Sequence, residues 1–400
     1  MGWSNWSRKP AAAADTGAVV GLDLTAGRAR AVYGPAAGAT PRRLVLDDPH
    51  ADLPLAISLE HRSAVVGHAG AALVRRLPHL VCRDYLPALG QQREWHHGRH
   101  RLDPAAATAL FAQRLRQPLT GQHAVAAAVP AYLTVPQVTL LTAALEHAKL
   151  PVLGTATAPM AIAATSDDAR LGTALVADAD EHALTWTVLT ADGSQVRVLA
   201  TLTQPAAGTR GWLDRLLDAV SDRCVRLCRR DPRDSAAAEQ DAYEQLDATL
   251  DHLRPGQPVG IHVRTPQWYQ ELTLAPEEFD QFCAPLARQA ADGMRQALAR
   301  AHAAIPAMAP PDVLWLTHDA ARLPGLAAAL GQHLPEPTAI RPLPADAVAK
   351  AAHALAGHWL RGDLPRGHLD TAAPRLGLAL PFGREKSEPT MKVSAPRVRP

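Results

Sequence analysis

The chain has 400 residues, of which 47% are hydrophobic and 20% are charged, and its formal net charge at pH 7 is +2. This composition is typical of a globular protein with two domains or one large bilobal domain. The small net charge argues against binding to nucleic acid or to an acidic membrane surface, and no apolar run is as long as a membrane span. The four cysteines form no C-x-x-C pair, so we expect reduced thiols in a cytoplasmic protein.

The first half of the chain predicts one α/β lobe at 18–165, preceded by a disordered tail at 1–17. Apolar runs indicate strands, and apolar residues at helical spacing indicate helices. The predicted elements, in chain order, are strands at 18–24 and 29–33, a helix at 104–116, a strand at 124–129, a helix from 136, a strand at 150–154 and a small-residue helix at 158–164.

The second half opens as the first does, with a strand, an acidic residue, a tight turn and a second strand. Asp23 and Asp178 hold matching places in the two openings. This weak internal duplication fits two lobes with a cleft between them. We place the second lobe at 170–365, with a small α/β subdomain at 212–275. The predicted elements are strands at 172–176, 183–189 and 196–202, helices at 212–227 and 236–253, a hairpin at 259–264 and 268–274, a helix from 276 toward 302, a strand at 313–317, and helices at 324–334 and 344–360.

Several motifs in this order resemble those of the ATPase domain of the seventy-kilodalton heat-shock protein (heat-shock chaperone) family, within the actin-like ATPase superfamily. Val129-Pro130-Ala131-Tyr132 matches the family's V-P-A-Y, Arg322-Leu323-Pro324 matches R-I-P, and the segment at 344–349 is similar to P-D-E-A-V-A. The resemblance covers about 18–375. It implies a two-lobed actin-like ATPase (ribonuclease-H-like) fold, in which each lobe is a mixed sheet flanked by helices and the second lobe carries the subdomain.

The resemblance also implies where a nucleotide would bind. The family holds ATP or ADP with Mg between two glycine-rich hairpins, whose backbone N–H groups face the phosphates. By resemblance the nucleotide-binding positions are Asp23, Thr25, Asp178, Gly208 and Arg322, and Asp23 and Asp178 would hold the metal through water. Both acids also suit a plain turn, where a carboxylate accepts backbone hydrogen bonds, and Arg322 could simply mark the start of a helix.

In the same alignment, this chain lacks the family's catalytic residues and several of its phosphate-binding glycines. The family's catalytic lysine, glutamate and threonine are aligned with Ala71, Ala158 and Ala183, so we assign no catalytic residue. Thr25 replaces a phosphate-facing glycine, and Asp180 and Glu181 replace two glycines of the second hairpin. One carboxylate about 4 Å from a phosphate charge costs about 4 kcal/mol at an effective dielectric constant of about 20, which is about three decades of affinity. The penalty falls if these side chains turn outward or a metal intervenes.

We therefore expect a degenerate member of the heat-shock chaperone family, a pseudo-ATPase that acts as an interaction or regulatory scaffold with protein partners that the sequence does not identify. The alternative is a divergent ATP-binding chaperone ATPase, an ATP hydrolase involved in protein folding. A sugar kinase on the same superfamily fold is a weaker third hypothesis, because such enzymes also need the phosphate-binding glycines. The segment at 375–400 is expected to be a disordered tail, too short for the family's peptide-binding module.

Overall fold

The computed structural model describes residues 18–36, 40–119, 124–168 and 171–376. The expected N-terminal tail at 1–17 lies outside the described residues, as does the expected C-terminal tail except for Arg375 and Leu376. The backbone N–H groups of these two residues donate hydrogen bonds of 2.9 Å to Ser194 and Ala164. None of the described helices combines the length and the hydropathy that a membrane span requires.

The protein is a mixed α/β structure in which the larger sheets are flanked by helices. The strands are β1 (Ala18–Leu24), β2 (Arg28–Pro35), β3 (Arg42–Arg43), β4 (Leu53–Pro54), β5 (Ile57–Ser58), β6 (Val65–Val66), β7 (Val81–Cys82), β8 (Trp95–His97), β9 (His100–Leu102), β10 (Ala124–Val129), β11 (Val152–Thr157), β12 (Thr173–Ala179), β13 (Leu184–Ala191), β14 (Gln195–Gln204), β15 (Val259–Arg264), β16 (Tyr269–Leu274), β17 (Val313–Leu316), β18 (Ala339–Pro342), β19 (His368–Leu369) and β20 (Ala372–Pro374). The helices are α1 (His68–Ala71), α2 (Pro104–Arg116), α3 (Val135–His147), α4 (Ala158–Thr165), α5 (Thr209–Cys228), α6 (Ala236–Leu250), α7 (Pro276–Ala304), α8 (His318–Ala321), α9 (Leu326–Gly331) and α10 (Ala347–Arg361).

Two large sheets repeat one arrangement. The first sheet has the order β19-β11-β10-β1-β2-β3, with β4 also paired to β2, and the second has the order β18-β17-β12-β13-β14-β20. In each sheet the opening strand, β1 or β12, pairs antiparallel with the next strand of its hairpin and parallel with a later strand on its other side. The duplication expected from the two openings is therefore present in the topology of the sheets.

Helices α4 and α10 form a layer that packs on both large sheets. Every residue of α4 is buried, as its small side chains predicted, and the apolar core around it contains residues from both sheets. Helix α10 crosses the first sheet so closely that a Cβ on Gly21 would lie 2.1 Å from the carbonyl oxygen of Ala349. A Cβ on Gly154 would lie 2.3 Å from the indole of Trp359. Two glycines thus permit the close approach.

The sequence assigned α10 to the second lobe, whereas in the structure it covers the first sheet. Strand β19 behaves in the same way, because it pairs with β11 at the edge of the first sheet although it follows α10 in the chain. The first sheet is therefore completed by residues some 200 positions beyond the expected lobe boundary at 165. An amphipathic pattern specifies which face of a helix is buried, but not which sheet buries it.

Local signals explain most element boundaries. The side chain of Asp103 accepts a hydrogen bond of 2.7 Å from the N–H of Ala106 at the start of α2. Thr134 and Gln137 form a capping box, so the helix predicted from 136 begins one residue earlier. The helix predicted at 324–334 is shorter, because Gly325 has a left-handed φ of 72° and α9 can begin only after it.

The expected subdomain at 212–275 consists of α5, α6 and the hairpin of β15 and β16. The hairpin is tied to α6 by Gln245, whose side chain accepts from the N–H of His262 at 2.9 Å and donates to its carbonyl at 2.8 Å. The inward side chains of the hairpin, including Ile261 and Leu272, belong to the same apolar core as α5, α7 and the second sheet. This segment is continuous with the core of the second sheet.

Candidate functional site

The two large sheets meet where the β1–β2 turn, at 25–27, lies against the β12–β13 turn, at 180–183. Both turns follow the carboxyl end of the opening strand of their sheet, the edge at which α/β proteins commonly bind ligands. The turns are in direct contact, because the N–H of Ala26 donates a hydrogen bond of 2.9 Å to Oδ2 of Asp180. We call the region between the two turns the inter-sheet cleft.

The carboxylate of Asp180 is the centre of this contact. Its Oδ2 also accepts a hydrogen bond of 2.6 Å from the hydroxyl of Tyr132, which follows β10 of the first sheet. Its Oδ1 accepts hydrogen bonds of 2.9 Å from the N–H groups of His182 and Ala183. Burial raises the pKa of Asp180, and these donors oppose the rise. Donors from both sheets, including that of Ala26, thus hold one internal carboxylate.

Thr25 satisfies the other N–H groups of the first turn. Its Oγ1 accepts hydrogen bonds from the N–H groups of Gly27 at 3.3 Å and Arg28 at 3.0 Å. The hydroxyl also donates to the carbonyl oxygen of Arg28 at 3.1 Å. Backbone N–H groups of such turns bind anions when they are free. Here those of Ala26, Gly27 and Arg28 all have acceptors within the protein.

Glu181 places a second carboxylate across the first turn. A Cβ on Gly27 would lie 1.7 Å from the carboxyl carbon of Glu181, so a larger residue would displace this side chain. Arg28 donates hydrogen bonds of 3.1 and 3.3 Å to Oε1 of Glu181. Arg28 also lies 3.5 Å from Asp52 and 3.6 Å from Asp247. Burial raises the pKa of Glu181, and Arg28 opposes the rise.

A buried charge network joins β2 to α8. Arg30 donates hydrogen bonds of 3.0 Å to both carboxylate oxygens of Asp319, and Arg322 lies 3.4 Å from the same carboxylate. Bidentate pairing of this kind is strong and directional. Burial alone would raise the pKa of Asp319, but Arg30, Arg28 and Arg322 outweigh it and hold that pKa well below its usual range.

Asp23 and Asp178 both line a small cavity of about 10 Å³ in the cleft, which Thr25 also lines. Burial raises the pKa of Asp23 from 3.8 to about 7, although Arg30 lies 3.8 Å away. Burial and the neighbouring Asp180 raise the pKa of Asp178 well above its usual range. The charge of Asp23 also raises the pKa of Asp178.

A cavity of about 550 Å³ extends outward from the turns, between the chain that follows β2 and the helices α5 and α6. Its lining carries three arginines, Arg28, Arg83 and Arg210, against six carboxylates that include Glu181 and Asp247. Because carboxylates outnumber arginines two to one, this lining has an excess of negative charge. A polyphosphate entering the cavity would meet more like charge than opposite charge.

The outer wall of the cavity is closed by contacts between the first-sheet side and the second-sheet side. Arg210 of α5 binds the carboxylate of Asp84 at 2.5 and 3.0 Å. The amide of Gln240 accepts a hydrogen bond of 2.6 Å from the N–H of Arg75 and donates one of 3.1 Å to the carbonyl of Ala71. The cleft is thus tied at the turns and again at its outer wall.

The structure places most of the residues singled out in the sequence around the cleft. Ala71 lines the cavity and Ala183 lies in the second turn, but Ala158 belongs to the apolar core around α4. Gly208 precedes α5, where a Cβ would lie 2.7 Å from the N–H nitrogen of Ala183, so it serves close packing. The Arg322 side chain is 4% exposed and ion-paired, including with Asp247, and is therefore not free to stack on a base.

Sequence reasoning did not assign roles to Arg28, Arg30 and Tyr132. The two arginines are two residues apart on β2, and such residues share one face of a strand. Both arginines lie next to the turn that contains Thr25. Their two-residue spacing was therefore a signal that both side chains point into the cleft. Tyr132 was part of the V-P-A-Y match, but nothing in the sequence pairs its hydroxyl with Asp180.

Within the described ranges, no group of three or more histidine, cysteine, aspartate or glutamate side chains has the arrangement to hold a metal ion. No protein-family model matches this chain, and no curated protein is similar to it at a significant level. The function is therefore inferred from the geometry of the chain's own residues.

Proposed function

We propose that the chain is a degenerate relative of the heat-shock chaperone ATPase domain, with a two-lobed actin-like fold, and that it acts as a protein-interaction or regulatory scaffold rather than as an ATPase. The repeated strand order of the two sheets supports the two-lobed fold, with the cleft where the opening turns meet. The motifs at 129–132, 322–324 and 344–349 support the kinship.

The observation that carries this proposal is the position of the Asp180 carboxylate. It accepts hydrogen bonds from the N–H of Ala26 in the first turn and from that of Ala183 in the second. These are the turns that would face the phosphates if the resemblance to the family holds. An internal carboxylate uses their donors, as a bound anion would.

The residues of the cleft do not fit a magnesium nucleotide. Glu181 covers the first turn, and the cavity that Asp23 and Asp178 line measures only about 10 Å³, which leaves no room for a hydrated magnesium ion. Displacing the Glu181 carboxylate would also break its hydrogen bonds of 3.1 and 3.3 Å with Arg28. We therefore assign no catalytic step to this cleft.

A scaffold needs one stable surface, and the contacts across the cleft stabilise the closed arrangement of the two lobes. Asp180 with Tyr132, Glu181 with Arg28, and Asp319 with Arg30 each join the two lobes. Because these partners belong to the chain itself, the closed arrangement does not depend on nucleotide. In this proposal, protein partners recognise the surface of the closed form.

The test is the thermal midpoint of the purified chain in millimolar Mg-ATP and Mg-ADP, with the ATPase domain of an active family member as the positive control. A ligand at about 100 times its dissociation constant stabilises a protein by about 2.7 kcal/mol, which moves the midpoint visibly. We expect no shift for this chain. A saturable shift would overturn the proposal.

The alternative is a divergent ATP-binding chaperone ATPase involved in protein folding. One observation favours it: Asp23 and Asp178 lie together at the ends of matching strands, as metal-holding acids of such a site would. That function predicts a nucleotide-induced shift together with ATP hydrolysis that Asp23→Asn abolishes. The same titration therefore separates the two functions.

A further inference from the structure

Arg83 is a half-buried cation that no other described residue neutralises directly. It lines the 550 Å³ cavity, but no described side chain or carbonyl accepts a hydrogen bond from its guanidinium. The adjacent carboxylate, that of Asp84, is held by both terminal nitrogens of Arg210. Asp84 also has a left-handed φ of 60°, a conformation that a non-glycine residue keeps only where its surroundings fix it. The Asp84–Arg210 pair provides that fixation and leaves Arg83 facing the cavity without a partner.

Two further arginines lie near Arg83, and both are already paired. Burial lowers the pKa of Arg83 and the charges of Arg210 and Arg75 lower it further, while Asp84 opposes them. Arg210 pairs with Asp84, and Arg75 pairs with Asp214 and Glu239. The guanidinium of Arg83 remains charged, because arginine does not lose its proton in proteins. Among the described residues that line the cavity, Arg83 is the arginine without a paired carboxylate, so an anionic group would bind at its guanidinium.

The cavity also has apolar lining residues and the size of a small-molecule site. Ala71, Ala72, Val74 and Leu213 line it, together with Tyr243. Pockets for small molecules commonly measure about 300–1,000 Å³ and combine apolar walls with a few polar anchors. The cavity therefore offers one planar cationic anchor and a wall for an apolar body.

We propose that this cavity binds a small organic monocarboxylate with an apolar or aromatic body, anchored by the guanidinium of Arg83. The planar fork of arginine matches a carboxylate in two parallel hydrogen bonds. A single negative charge fits better than a phosphate dianion, because six carboxylates, among them Asp84 and Glu244, also line the cavity. The cavity also reaches the two turns through Ala26, Gly27 and Glu181, but a monocarboxylate bound at Arg83 requires no nucleotide.

Benzoate is the probe, and benzamide, its neutral isostere, tests the need for charge. We would titrate the full chain by calorimetry and follow its thermal midpoint, with sodium chloride matched to the ionic strength. Benzoate should bind saturably and raise the midpoint, benzamide should do neither, and phenyl phosphate should bind more weakly than benzoate. Equal binding of benzamide, tighter binding of phenyl phosphate, or no saturable benzoate binding would each overturn the proposal.

Arg83→Gln is the decisive variant, with Arg288→Gln, at an exposed position of α7, as the matched control. Losing a charged hydrogen-bonding anchor should weaken benzoate binding about tenfold to a hundredfold. The midpoint without benzoate should not fall, because Arg83 has no partner in the protein. Arg288→Gln should bind as the wild type does. Unchanged benzoate affinity in Arg83→Gln would refute the assignment.

Ala72→Trp provides a second variant that keeps the charge. Ala72 is exposed where it lines the cavity, so an indole there should obstruct the opening without disturbing the core. Benzoate binding should be lost in this variant while the midpoint without benzoate is retained. Wild-type benzoate affinity in a folded Ala72→Trp would place the binding site elsewhere and contradict the proposal.

Discussion

Asp180→Ala should release the two turns from each other. The substitution removes the acceptor for the N–H groups of Ala26, His182 and Ala183 and for the hydroxyl of Tyr132. A buried donor left without an acceptor costs about 1–3 kcal/mol, but the four losses do not add, because water can enter the space that the carboxylate leaves. We expect the free energy of unfolding to fall by about 3 kcal/mol.

Urea unfolding measures the total loss, and amide hydrogen exchange shows where it occurs. The N–H of Ala26 donates only to Asp180, so its exchange reports local opening of the cleft. In Asp180→Ala this amide should exchange much faster, while amides in the middle of β1, such as that of Val20, should follow the global stability alone. A local loss of protection at the first turn is the specific sign of a released contact.

Tyr132→Phe is the matched control, because it removes one of the four donors and keeps the ring. It should cost about 1–2 kcal/mol in the wild type and almost nothing in Asp180→Ala, since the partner of the hydroxyl is then already gone. An Asp180→Ala variant within about 0.5 kcal/mol of the wild type, with the Ala26 amide still protected, would refute the reasoning.

Two further predictions concern the buried charges. Because the pKa of Asp23 is about 7 in the folded state and 3.8 as its ordinary value, the folded protein retains a proton that the unfolded chain releases, and stability falls as the pH rises through this window. Asp23→Asn should match the wild type near pH 4 and exceed its free energy of unfolding above pH 7 by at most about 4 kcal/mol, as urea unfolding at each pH will show; a constant difference would contradict the shifted pKa. Asp319→Ala leaves Arg30 and Arg322 without their shared carboxylate and should cost about 3–5 kcal/mol, whereas the double variant Arg30→Met/Asp319→Leu should cost much less in the same assay. An equal fall in the free energy of unfolding in the single and double variants would contradict the reasoning that the unpaired arginines cause the loss.

The local elements could be predicted because their signals are local. Proline at helix starts, the cap at Asp103 and alternating apolar residues depend only on neighbours in the chain. The partner of α10 could not be predicted, since its contact with Gly21 joins residues more than 300 positions apart. The same apolar helix face would fit either sheet.

The sequence identifies the residues of the two turns but not the direction of their side chains. By the resemblance to the heat-shock chaperone family, Asp180 and Glu181 are aligned with glycines. Whether their side chains turn inward depends on Ala26 and Arg28, which lie about 150 residues earlier in the chain. The inward orientation is therefore decided by tertiary contacts, and it converts a site that resembles an anion site into one that holds its own carboxylates.

The way the first sheet is completed has a consequence for biosynthesis. Strand β1 is finished at residue 24, but α10, which covers it, ends at Arg361, and the edge strand β19 follows at His368–Leu369. At translation rates of about 5–20 residues per second, roughly 15 to 70 seconds separate the synthesis of β1 from that of the end of α10. During this interval an apolar face built from glycine and alanine is exposed on the nascent chain. The N-terminal half is therefore expected to rely on chaperones until α10 is synthesised, and a ribosome stalled before residue 347 would hold an incompletely folded protein.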